Sequence, residues 1–87
     1  MNNQRIDAIV EACDTYNSTR RKRLVAGKLY DYFMQDFKGE LAVIYQGATK
    51  EDIREDIKIL ADMIYSADNK AKREFYVGAL RYIVKLM

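Results

Sequence analysis

The chain has no histidine, no proline, one cysteine and four glycines among its 87 residues. Without histidine there is no imidazole to serve as a general base near neutral pH. With Cys13 as the only thiol, the usual nitrogen and sulfur ligands of a zinc site are missing. A lone cysteine also excludes an internal disulfide, so stability has to come from packing, within the chain or against a second one. The shortage of proline and glycine argues against a loop-rich or all-β design, whose frequent turns consume both. No apolar run approaches the roughly 18 residues of a membrane span. The opening Met1-Asn2-Asn3-Gln4-Arg5 lacks the apolar core of a secretion signal. The sequence reads as a cytoplasmic protein without membrane association.

What is present is enough apolar surface to fold. Hydrophobic residues make up 49% and charged residues 32%, the balance of a globular chain rather than a disordered one. The length suits a single domain over residues 1–87. The net charge of +2 conceals a partition: residues 29–69 hold four bases against nine acids, while residues 1–28 and 70–87 are both basic.

Periodicity predicts an all-α fold, a compact bundle of four to five short helices. Ile6, Ile9, Val10 and Cys13 mark a first helix over about residues 4–16, interrupted by Asn17-Ser18-Thr19. Ser18 or Thr19 is then the cap of a second helix over 19–38, closed by Gly39. Residues 40–46 are ambiguous. They read as a strand by alternation, or as a helix that is separate or continues the second through Gly39 at about 1 kcal/mol. Helix is preferred because the chain offers no partner strand. Thr49 starts a helix over 50–65, with Glu51 and Asp52 where the macrodipole is positive. Asp68 or Asn69 caps a last helix over 69–87, and so short a connection favours an antiparallel pair.

The second and last helices are apolar over most of their circumference. From Phe75 to Met87 two stripes emerge, Tyr76-Ala79-Leu80-Ile83-Met87 and Phe75-Ala79-Tyr82-Leu86. Such a helix forms the centre of the bundle, or it turns one stripe to the core and the other to a second copy or a partner. Gly27 and Gly78 lie inside these helices, where a close backbone approach would offset their cost in helix stability. Tyr30, Tyr32, Phe33, Met34, Phe75, Tyr82 and Leu86 are the candidate apolar anchors for a partner. Arg20, Arg21, Lys22 and Arg23 fall in the first turn of the expected second helix, and Lys70, Lys72 and Arg73 in that of the last. There the macrodipole disfavours cations, so an anion or an acidic partner surface would relieve the clash.

Nothing in the pattern calls for catalysis. Cys13 lies on an apolar stripe, where a buried thiol is inert. Glu51, Asp52, Glu55 and Asp56 could offer carboxylate pairs to a hard cation. Lys50, Arg54 and Lys58 interleave with them, so they read as solvated acids at a helix start. The expectation is a non-enzymatic interaction protein of the regulator, inhibitor or adaptor type. It binds another protein or itself as a homodimer, without cofactor, metal or small-molecule substrate. The second choice is a nucleic-acid-binding helical domain that sets its basic clusters on phosphates.

Overall fold

Residues 3–23 and 28–87 are described by a computed structural model, with side chains for 3–19 and 31–87. Among these residues all regular structure is helical: α1 (Gln4–Arg23), α2 (Lys28–Ile44), α3 (Lys50–Ser66) and α4 (Lys70–Val84).

α1 starts at Asn3, whose Oδ1 accepts the Ile6 amide at 3.1 Å as an N-cap. The helix does not stop at Asn17-Ser18-Thr19, contrary to the sequence expectation. The Thr15 and Thr19 hydroxyls donate back to the carbonyls of Glu11 and Thr15, at 3.1 and 2.9 Å. Both threonines therefore fit a helix interior, and Tyr16, 4% exposed, anchors that turn in the core. The expected second-helix start at Ser18 or Thr19 is corrected accordingly, and the stretch from Leu24 to Gly27 lies outside the described residues.

α2 runs straight through Gly39, so residues 40–44 extend it and no separate fifth helix forms. The left-handed residue that follows is Gly47, with φ 83°, and the Gln46 amide closes onto Val43 O at 3.1 Å. α3 begins as the sequence indicates. Thr49 Oγ1 accepts the Asp52 amide and Asp52 Oδ2 accepts the Thr49 amide, each at 3.1 Å, a reciprocal capping box. Asn69, rather than Asp68, caps α4 by accepting the Lys72 amide at 2.8 Å. α4 ends at Val84, and the last residues continue in tighter turns, such as Leu86 N–H to Ile83 O at 2.9 Å.

The helices bury one stripe each. Ile6, Ile9, Cys13 and Tyr16 come from α1, and Met34, Phe37 and Leu41 from α2. α3 supplies Ile53 and Leu60, and α4 supplies Phe75, Tyr76, Ala79 and Ile83. Spacings of three and four residues keep each set on one face. Among the described residues α1 and α4 each pack against all three other helices, whereas the α2 and α3 backbones do not come together. α4 thus sits at the centre of the bundle together with α1.

Four aromatic rings lock that centre. Phe75 lies 5.6 Å from Tyr16, 5.9 Å from Phe33 and 5.1 Å from Phe37, centroid to centroid, and Tyr16 meets Phe33 edge-on at 5.4 Å. The radius of gyration, 12.7 Å, is near the roughly 12 Å of a compact chain of this length. Among the described residues no helix is long and apolar enough to cross a membrane.

Candidate functional site

The strongest polar constellation is internal, and sequence reasoning missed it. Asp56, expected among the solvated acids of α3, is 0% exposed. Its Oδ2 accepts Arg5 Nε at 2.7 Å and the Tyr45 hydroxyl at 2.7 Å. Its Oδ1 accepts Asn3 Nδ2 at 2.6 Å and Arg5 Nη2 at 3.2 Å. The Arg5 guanidinium also lies over the Tyr45 ring, 5.9 Å from its centroid. Asn3 uses both ends of its amide, one to cap α1 and the other to hold α3.

Burial alone would raise the Asp56 carboxyl, but the bonds from Arg5, Tyr45 and Asn3 outweigh it and hold the pKa below the ordinary value. Tyr45 moves the other way, well above its usual range, because burial and then the neighbouring carboxylate disfavour a phenolate. A carboxylate so stabilised, with both oxygens occupied, is not poised to exchange protons at neutral pH. The cluster ties the first turn of α1, the end of α2 and the middle of α3 together. A second buried pair, Cys13 and Tyr76, behaves alike: burial raises the thiol, and burial followed by Cys13 pushes Tyr76 up to about 12.

Among the described residues a groove lies on each flank of α2. The larger, about 700 Å³, lies between α2 and α4. It is lined by Asp31, Met34, Gln35 and Lys38 on one side and by Gly78, Arg81, Tyr82 and Lys85 on the other. Each set has the spacing i, i+3, i+4, i+7, which places it on one helical face. The smaller groove, about 320 Å³, lies between α1 and α2 and is edged by Glu11 and Glu40. The two grooves are therefore edged by opposite charge. Between them the outward strip of α2 presents Tyr32, Asp36, Gly39 and Val43, all exposed, with Tyr32 at 67% and Val43 at 70%.

The expected anchors are divided by this arrangement. Phe75 is fully buried and Met34 is 5% exposed, so both serve the chain's own core, and Met34 also floors the larger groove. Phe33 is half-buried against Tyr16 and Phe75. Tyr32 and Leu86 reach solvent, and Tyr82 is half-buried in the groove wall. The Tyr30 side chain lies outside the described residues. Gly78 lines the groove, and Gly27 is outside the described residues.

The basic clusters also change meaning. Arg20, Arg21, Lys22 and Arg23 end α1 rather than start a helix, so the macrodipole favours their charge instead of opposing it. Their side chains lie outside the described ones. At the start of α4, Lys70 faces Glu74 at 3.9 Å, Lys72 faces Asp68 at 3.6 Å and Arg73 donates to Ala67 O at 3.3 Å. The clash expected there is moderated by nearby acids and a carbonyl. Lys38, Arg81 and Lys85, which edge the larger groove, were not among the candidate site residues because they do not form a run. Their signal was the repeated i, i+3, i+4, i+7 spacing with Met34 and Tyr82.

No known protein family, curated protein or solved structure matches the chain.

Proposed function

We propose that the chain acts by contact rather than catalysis, as a small helical interaction protein of the regulator, inhibitor or adaptor type that binds another protein. The observation that carries this reading is the outward strip of α2, where Tyr32 and Val43 stand 67% and 70% exposed. They flank Gly39, beside which a methyl group would meet nothing within 4 Å. An exposed tyrosine and valine on one strip with open backbone between them favour a flat, close partner surface. A second copy is the simplest such partner and gives a homodimer.

The test is a photo-crosslinking residue in place of Tyr32, compared with one in place of the exposed Lys58, combined with sedimentation across concentration. A discrete protein adduct or a dimer captured from position 32 and not from 58 supports the reading. Equal yields from the two positions, or no capture together with a strictly monomeric particle, overturn it. Nucleic-acid binding through Arg20 to Arg23, Lys70, Lys72 and Arg73 is the competing reading. It requires affinity for generic duplex that falls steeply with salt.

A further inference from the structure

We infer that the groove between α2 and α4 is a docking site for an acidic amphipathic helix of a protein partner, an assignment that rests on the contact reading above. Both walls use positions seven residues apart at their ends, so the trough runs about 10 Å, or two helical turns. Its floor is Met34, the bare backbone of Gly78 and the flank of Tyr82. An unbranched thioether beside a glycine adapts to the apolar side chains of an entering helix. The edges carry Lys38, Arg81 and Lys85 against the single acid Asp31. Three cations to one anion select carboxylates beside the apolar anchors and steer them in.

The groove on the opposite flank of α2 is edged by Glu11 and Glu40, so of the two grooves an acidic helix is directed to the one beside α4. Nucleic acid fits less well. A phosphate backbone has no group to place on Met34, and Asp31 repels it. A second copy does not supply the occupant either, because the apolar stripe of its acidic helix α3 is committed to the core through Ile53 and Leu60.

The test is an NMR titration of the full chain with two synthetic helical peptides. Both present leucines at i, i+3 and i+7; one is flanked by glutamates and its twin by lysines. The expected result is shifts confined to the groove, at Met34, Lys38, Gly78, Arg81, Tyr82 and Lys85, with the glutamate peptide binding about tenfold or more tighter than its twin. K38E and R81E, both at exposed positions, should each weaken it severalfold while leaving the circular dichroism and Tm unchanged. Equal binding of the two peptides, shifts elsewhere, or a short DNA duplex outcompeting the glutamate peptide at these residues overturns the assignment. A groove that stays silent to the peptides while position 32 still crosslinks protein overturns this assignment alone and leaves the contact reading standing.

Discussion

Arg5→Ala leaves the Asp56 carboxylate inside the protein with only Tyr45 and Asn3 to satisfy it. Breaking a buried ion pair from one side is costly, and we expect a loss of about 3 kcal/mol in urea-induced unfolding. Replacing the set together, Arg5→Met with Asp56→Leu and Tyr45→Phe, should recover most of that loss, because no uncompensated charge remains. The same groups set the pH response. The folded pKa of Asp56 lies below the ordinary 3.8. Its stabilisation is therefore present above that value and is lost as pH falls through the folded pKa. Asp56→Asn should flatten the acid limb of a plot of Tm against pH. Tyr45 has the opposite sign: its folded pKa lies above the ordinary 10, so its contribution holds below pH 10 and is lost as pH climbs toward the folded pKa. Tyr45→Phe should soften the alkaline decline and leave a remainder from Tyr76, whose pKa is near 12.

At the scale of elements, the glycines give a paired test. Gly39 sits in mid-α2 with free space around it, so Gly39→Ala should stabilise the chain by about 0.5–1 kcal/mol. Gly47 has φ 83°, and Gly47→Ala should destabilise by about 1 kcal/mol despite the same open space. Chemical denaturation of both variants checks the sign. This contrast also explains what the sequence made legible. The start of α3 was readable because the capping box is written within four residues, Thr49 to Asp52. The start of α4 was readable to within a residue, because Asp68 and Asn69 both suit a cap and Asn69 accepts the Lys72 amide three residues on. The boundary of α1 was not, because Asn17-Ser18-Thr19 looks like a break by propensity, while the buried Tyr16 and two hydroxyls turned back onto carbonyls keep it helical. The Asp56 cluster left no local trace, since Asn3 and Arg5 stand 53 and 51 residues away in sequence. Its acid was therefore grouped with its exposed neighbours.

Across the whole molecule, the expectation of two greasy helices resolves unevenly. Phe75 touches the rings of Tyr16, Phe33 and Phe37 and so couples α1, α2 and α4. Phe75→Ala should cost about 3–5 kcal/mol by the cavity it opens, read as a lower denaturant midpoint with little change in m-value. The apolar surplus is not all absorbed. Tyr32 and Val43 on α2, and Val84, Leu86 and Met87 at the end of α4, remain exposed. Tyr65 at the end of α3 is 91% exposed, a position no stripe of the sequence singled out for contact. The central pair α1 and α4 was half legible: the apolar circumference of α4 pointed to it, while the long-range packing that gives α1 an equal share did not show.

The clasp between Arg5 and Asp56 also sets a schedule for biosynthesis. A ribosome adding about 5–20 residues per second needs on the order of 3–10 s to deliver the 51 positions that separate the two. During that interval the nascent first helix waits with its guanidinium still wet, and its seat on α3 becomes available only after residue 56 has left the exit tunnel.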